Sequence, residues 1–307
     1  MKLQQLRYLC EVASQGLNLS KAAKTLHTSQ PGISKQISLL EDELGVDIFV
    51  RNGKRVVKIT PPGEAIIEIA ERMLRDAKNL KQVGQEFTNE ASGSLTIATT
   101  HTQARYALPP AIKRFTLRYP NVKLILRQGS PTQIAKLVTS GEADIAIATE
   151  AIELFDELVM LPCYQWNRCI ITQPRHPLLK LAKLTLEDIV KYPIITYDFA
   201  FTGRTKINQA FAAKGLTPNV VLTAIDAYVI KTYVELGLGI GILAQMAFEP
   251  NRDKHLRSID ASHLFEPSTT RIGITRNSYL RGYVYDFIGM FAPHLDRTVI
   301  TTAMEST

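Results

Sequence analysis

The sequence has only three cysteines, Cys10, Cys163 and Cys169. Their number is odd and no C-x-x-C spacing occurs, which argues against a disulfide framework and against a structural zinc site. Long apolar runs are also missing. The most apolar later stretch, Leu236 to Phe248, is short and interrupted by glycines, well below the ~20 residues of a membrane-spanning helix. The first residues, Met1-Lys2-Leu3-Gln4-Gln5-Leu6-Arg7, hold no continuous apolar segment, so neither a secretion signal nor a membrane partner is expected and the expected location is the cytoplasm. His101 has no Ser–Asp or metal-ligand partner at a meaningful spacing, and His176 sits between Arg175 and Pro177 in a loop pattern. No enzyme activity, metal or cofactor is therefore expected.

What the sequence does have is charge and ample apolar content. Its 307 residues, 45% of them hydrophobic, suffice for two or three domains with real cores. The formal net charge of +7 suits a polyanionic partner. The signal is sharpest locally: residues 1–40 carry Lys2, Arg7, Lys21, Lys24 and Lys35 against Glu11 alone.

The stretch from Leu19 to Arg55 organises the chain. Leu19, Ala22, Ala23 and Leu26 share one helical face, and Ile33, Ile37, Leu40 and Leu44 share another. His27-Thr28-Ser29 forms the corner between them. Ser29 is placed to cap the second helix, and Pro31 is tolerated in its first turn. Two such helices around a short turn make a helix-turn-helix. The outer face of the second carries Gln30, Ser34, Lys35 and Ser38, suited to base edges and phosphates in a major groove. An earlier helix, about Gln4 to Gln15, turns Leu6, Leu9, Cys10 and Ala13 inward. Ile48-Phe49-Val50, an Asn-Gly turn and Val56-Val57-Lys58-Ile59 read as a β-hairpin wing. Its cations, Arg51, Lys54, Arg55 and Lys58, can reach phosphates beside the groove.

The run A-A-K-T-L-H-T-S-Q-P-G-I-S-K-Q-I, followed by L-E-D-E-L-G-V-D-I-F-V-R, resembles the DNA-binding domain of LysR-type transcriptional regulators. The resemblance implies base reading by Gln30, Pro31, Ser34 and Lys35, backbone contacts from Thr28 and Ser29, and Arg51 on the wing. The partner it implies is double-stranded promoter DNA.

Thr60 as cap and Pro61 at the first position open a long helix reaching roughly Asn89. Ile66, Met73, Leu80 and Phe87 recur every seven residues along it, over a length on the order of 40 Å. Such a seam calls for a second copy, although one amphipathic helix lying on its own domain would show the same pattern. Pairing places two recognition helices on one duplex. Ala91-Ser92-Gly93-Ser94 reads as a linker. From Leu95 strands alternate with helices, so a mostly parallel sheet is expected. Two α/β lobes linked twice resemble the periplasmic-binding-protein-like (type II) effector domain of the same family. The expected architecture is α+β and multidomain. A winged helix-turn-helix spans 1–60, a linker and dimerisation helix 61–92, and an effector domain 93–307. Lobe I is expected over 93–163 and 267–307 and lobe II over 164–266, with crossings near Pro162-Cys163-Tyr164 and Glu266-Pro267-Ser268.

Ligands of open α/β sheets bind at the carboxyl ends of strands. Those ends read Thr99-Thr100-His101-Thr102-Gln103, Gly129-Ser130 and Thr149, and Phe201-Thr202-Gly203-Arg204 precedes a helix. Hydroxyls with free backbone N–H groups at helix starts make a neutral anion site, suited to a small carboxylate or a sulfate-like oxyanion. Each hydroxyl alone is better explained as a helix cap; their convergence favours a pocket. T-T-H-T-Q-A-R-Y-A-L-P, G-S-P-T-Q-I-A, I-A-T-E-A, L-V-M-L-P-C-Y-Q-W-N-R and F-T-G-R resemble the cysteine-regulon activator branch of the family. That resemblance implies Thr100, Thr102, Gln103, Thr149 and Thr202 as effector contacts, with Ser130 and Trp166 second. It further implies an acetylserine-type inducer, a homotetramer, RNA polymerase as a partner, and activation of sulfur-assimilation promoters. A sulfonate- or other anion-responsive regulator would share the fold. A two-lobed solute-binding protein would lack the N-terminal helix-turn-helix.

Overall fold

The computed structural model describes residues 1–53, 55–88, 92–149, 155–199, 201 and 203–305. Lys54, Ala91 and Thr202 therefore lie outside the described residues, as does the Phe87 side chain of the helical seam. The chain divides into two compact units, Met1–Phe87 and Thr88–Thr307.

The first unit runs α1 (Leu3–Ser14), α2 (Leu19–Thr25), α3 (Gln30–Leu44), β1 (Phe49–Asn52), β2 (Arg55–Ile59) and α4 (Pro61–Thr88). The starts of α2, α3 and α4 are each set by a local side-chain cap. Asn18 Oδ1 accepts from the Ser20 and Lys21 amides at 3.1 and 3.0 Å. Ser29 Oγ accepts from Gly32 N at 3.2 Å, and Thr60 Oγ1 from Gly63 N at 3.0 Å. Gly45, at φ 70°, ends α3 in the left-handed conformation that suits glycine. Leu9, Ala22, Ile33, Ile37, Leu40 and Ile48 form the heart of the core. A fully buried isoleucine or leucine contributes about 1.5–3 kcal/mol, so this small unit rests on a handful of such residues.

Two features differ from the sequence reading. Leu44, placed on the inner face of α3, is 41% exposed, and Glu41 is buried instead at 7%. The seam of α4 is also divided. Ile66 and Met73 pack against the unit's own core, whereas Leu80 is 76% exposed. The amphipathic-helix reading thus accounts for the first half of the seam.

The second unit holds two five-stranded sheets. The elements of the first are β3 (Gly93–Thr99), α5 (Pro109–Arg118), β4 (Val122–Gln128), α6 (Pro131–Thr139), β5 (Ile145–Ala148) and β6 (Leu158–Trp166). The chain then builds β7 (Arg168–Thr172), α7 (Leu186–Ile189), β8 (Ile194–Tyr197), α8 (Gly203–Ala213), β9 (Val220–Ala224), α9 (Ala227–Glu235), β10 (Ile240–Ala244) and β11 (Arg257–Asp260). It returns with β12 (Ser268–Thr275), α10 (Gly282–Phe291) and α11 (Arg297–Glu305). The sheet orders are β4-β3-β5-β12-β6 and β11-β7-β10-β8-β9. Helices cover both faces of each, with separate apolar clusters on either side.

The sheets are mixed rather than mostly parallel. β3 pairs β4 and β5 in parallel, but β12 runs antiparallel to β5 and β6. In the second sheet β8 pairs β9 and β10 in parallel, while β7 is antiparallel to β10 and β11. The strands that carry the chain between lobes enter against the βαβ direction. The first crossing also falls later than expected. β6 stays in the first sheet through Trp166, so the chain changes lobe at Asn167 rather than near Pro162. Proline is tolerated there because β6 is an edge strand.

Candidate functional site

Two regions bring the sequence-predicted residues together. On the first unit, the Ser29 cap and Pro31 in the first turn start α3 so that Ser29, Gln30, Pro31 and Lys35 are exposed. Thr28 and Ser34 are half-buried beside them. Lys35 has no ion-pair partner among the described residues, leaving its charge available for a phosphate. In the wing, Asn52 pairs with Arg55 across the turn and Gly53 takes φ 60°. Arg55 and Gln30 line one groove of about 450 Å³ with Asn18 and Ser20, at the start of α2. Arg51 does not join this open face. Its Nη2 donates to Glu41 Oε2 at 2.8 Å and its Nη1 to Ser34 Oγ at 3.3 Å. Among the described residues, the wing cation that lines this groove is Arg55.

In the second unit, Thr100, Thr102, Gln103, Thr149 and Trp166 line one narrow slot with Tyr197, Phe201, Gly203 and Ile225. Its volume is about 30 Å³, enough for one or two waters. The turn after β3 supplies three of these residues because the chain winds from Thr99 into a π-helical turn at Gln103–Ala107. Thr100 and Thr149 are buried, at 7% and 3% exposure. Thr102 hydrogen-bonds the Tyr197 hydroxyl of the other lobe. Burial pushes that phenol up to about 12, and the Thr102 bond offsets part of the rise. Gln103 is 1% exposed, and both ends of its amide are engaged. Nε2 donates to Thr270 Oγ1 at 3.0 Å and Oε1 accepts from the Tyr164 hydroxyl. The buried Trp166 Nε1 has no acceptor among the described residues. Ser130 is not in the slot; it caps α6, taking Gln133 N at 3.4 Å. Thr202 lies outside the described residues.

No described lining residue of the slot is acidic, and two guanidiniums stand behind it. Arg168, 1% exposed, donates from Nη1 to Glu266 O at 2.8 Å and from Nη2 to Ser268 Oγ at 2.7 Å and Gly203 O at 3.3 Å. Its guanidinium carbon is 5.1 Å from the Trp166 ring centroid. Arg204 donates to Asn208 Oδ1 at 2.8 Å and Tyr197 O at 3.4 Å, and burial lowers its pKa. The sequence reading passed over Arg168. The signal was present: a cation opening the apolar strand R-C-I-I-T must find buried acceptors. Beyond Thr102 a larger cavity of about 350 Å³ opens, lined by His101, Arg105, Tyr106, Gln128 and Tyr228 among others. The cysteines are not poised for redox chemistry: burial pushes Cys10 and Cys163 up to about 12 and Cys169 up to about 11.

A winged helix-turn-helix in one chain with a two-lobed α/β unit holding a polar slot is the build of a ligand-responsive transcription regulator. The family described as bacterial regulatory helix-turn-helix protein, lysR family, matches residues 3–64, and that described as LysR substrate binding domain matches residues 88–296. The chain belongs to the LysR family of transcriptional regulators. It is 55% identical to the HTH-type transcriptional regulator SsuR of Burkholderia cenocepacia, over 98% of this chain and 97% of SsuR. It is 54% identical to the HTH-type transcriptional regulator CysB of Haemophilus influenzae, over 99% of this chain and 94% of CysB. The crystal structure of the cofactor-binding domain of the Cbl transcriptional regulator aligns with a TM-score of 0.68 at 45% identity, covering 71% of this chain and 96% of that one. No described helix is long and apolar enough to cross a membrane.

Proposed function

We propose that this regulator binds promoter DNA and activates genes of sulfur assimilation and cysteine biosynthesis, under control of a small anion held in the interlobe slot. The slot carries this reading. Three threonines, an indole N–H with no acceptor among the described residues and the start of α8 converge there, with no carboxylate among the described lining residues. Such a site favours an anion without a full ion pair. The effector class is an acetylserine-type metabolite or a sulfate-like oxyanion. The volume of about 30 Å³ fits neither without the lobes parting, so binding selects among lobe arrangements. Two copies paired through α4 and assembled into a homotetramer would convert that change into altered bending of bound DNA and a changed contact with RNA polymerase. Residues 28–35 supply the DNA-reading face.

A second reading keeps the mechanism and changes the ligand to a sulfonate or another anion. The similar identities to SsuR at 55% and CysB at 54% favour keeping both. Thermal shift of the full-length protein with O-acetylserine, N-acetylserine, sulfate, adenosine phosphosulfate and an alkanesulfonate separates them. A ligand at 100 times its Kd stabilises by about 2.7 kcal/mol, or roughly 5–10 °C for a unit of this size. Thr102→Val should weaken the responding ligand at least about tenfold, the effect of one lost hydrogen bond to a charged group, while promoter binding persists. A Thr102→Val protein that responds normally to every one of these anions removes the slot from the reading.

A further inference from the structure

We propose that Arg51 is a positioning residue for the recognition helix rather than a phosphate contact, and that it fixes Ser34 as a proton donor toward the DNA. This rests on the reading that the first unit binds DNA.

Glu41 is the hub. It is an acid on the inner side of α3, where an unpartnered charge would be costly. Its Oε1 accepts from Ile48 N at 3.0 Å and Phe49 N at 3.1 Å, and its Oε2 accepts from Arg51 Nη2 at 2.8 Å. One carboxylate therefore fastens α3 to the first wing strand through two backbone amides and one guanidinium. Ser34 and Glu41 are seven residues apart on α3, so they lie along one stripe of the helix. The Arg51 fork spans that stripe, with Nη2 on Glu41 and Nη1 on Ser34. β1 alternates without a break, with Phe49 buried, Val50 exposed, Arg51 half-buried and Asn52 exposed, so Arg51 shares the inward strand face with Phe49. The register irregularity beside it leaves the extra residue, Val57, in β2.

The polarity of Ser34 follows. A hydroxyl has one proton and two lone pairs. One lone pair takes the Arg51 N–H, and among the described residues nothing accepts the Ser34 proton. The hydroxyl keeps its proton and one lone pair, and with a guanidinium already on its oxygen the proton is its stronger free group, complementary to an acceptor such as guanine O6 or N7, thymine O4 or a phosphate oxygen. A cation so engaged contributes no released counterion. Its removal must therefore leave the salt dependence of binding intact while reducing discrimination.

The test measures binding of the full-length protein across a salt series. The probes are a duplex enriched from a random-sequence pool by the wild-type protein and a scrambled duplex of equal composition. Lys35→Ala, the phosphate control, should reduce the salt slope by about one per bound protomer and weaken both duplexes. Arg51→Met should keep the slope, weaken the enriched duplex about 10- to 100-fold and leave the scrambled duplex unchanged. Arg51→Lys keeps the charge but cannot reach both acceptors as a fork. It should lose discrimination as Arg51→Met does, and it serves where Arg51→Met fails to fold. Glu41→Gln keeps an acceptor for the two wing amides and releases Arg51. It should steepen the salt slope and tighten the scrambled duplex, which a purely structural role would not do. A slope that falls by about one in Arg51→Met, or wild-type discrimination in Arg51→Lys, overturns the proposal while leaving the DNA-binding reading intact. A wild-type protein that enriches no duplex fails that reading first.

Discussion

Arg168 is expected to hold the hinge side of the slot, and its removal gives a measurable consequence. The residue opens β7 directly after the first crossing, and its partners Glu266 and Ser268 flank the second. Its third acceptor, Gly203 O, belongs to the first turn of α8. One buried guanidinium thus ties both interlobe strands to the helix start that faces the slot. Hydrogen bonds from a charged donor are worth about 1.5–3 kcal/mol each. Arg168→Met loses all three, but it also removes the desolvation penalty of a buried cation and keeps apolar packing on Trp166. The net cost should be about 3 kcal/mol. At roughly 2–4 °C per kcal/mol for a unit of this size, Tm of the second unit should fall about 6–12 °C. Scanning calorimetry of the full-length protein separates this from the first unit, whose transition should not move. Arg168→Lys should recover little, since one ammonium cannot serve carbonyls on two sides as the planar fork does. A drop below about 2 °C for Arg168→Met, less than 1 kcal/mol on that scale, would refute the assignment of these bonds as the hinge clamp.

Two further expectations concern groups outside the slot. Burial raises the Cys169 thiol to about 11, above the ~8.5 of an unfolded thiol. Below the unfolded value both states are protonated and nothing changes. Above it the unfolded chain binds fewer protons, so stability falls by about 1.4 kcal/mol per pH unit until the folded value is reached. Cys163 in the same unit is raised too and adds its own loss, so between about pH 8 and pH 10 urea melts should show Cys169→Ala losing on the order of 2 kcal/mol less than wild type; equal losses in the two proteins contradict it. In the first unit, a Cβ on Gly63 would collide with the Ile48 carbonyl oxygen. Gly63→Ala should cost about 1–3 kcal/mol as overpacking, read as an earlier denaturant midpoint. An alanine protein as stable as wild type would show that α4 does not seat against the wing in this way.

What could be read from the sequence was local. Ser29 and Thr60 cap helices through the amide three residues on, so short windows contain both partners. The inward faces of α2 and α3 follow from helical spacing, and the convergence of Thr100, Thr102 and Thr149 follows from strand ends in a βαβ series. β6 was hidden because Pro162 resembles a break, and nothing local marks Leu158–Trp166 as an edge strand. β11 is four residues long at the other sheet's edge, too short for alternation to register.

The partners of the two arginines are hard to read from the sequence for a common physical reason. A cation's role depends on which acceptors the fold brings to it, and those lie far away in sequence. Arg168 meets Glu266 and Ser268 about a hundred residues on, while Arg51 meets Ser34 and Glu41 across a helix and a turn. Composition makes both look like surface charge. The sign that neither is free was the acid or the strand beside it. Glu41 follows the buried Leu40 on α3 and meets the amide of the buried Ile48, and Arg168 begins a run of apolar residues. A buried carboxylate requires donors and a buried guanidinium requires acceptors. On α3 that requirement separates two kinds of cation. Lys35 remains in solvent and is available for a phosphate, whereas Arg51 is drawn inward and sets the orientation of its neighbour's hydroxyl.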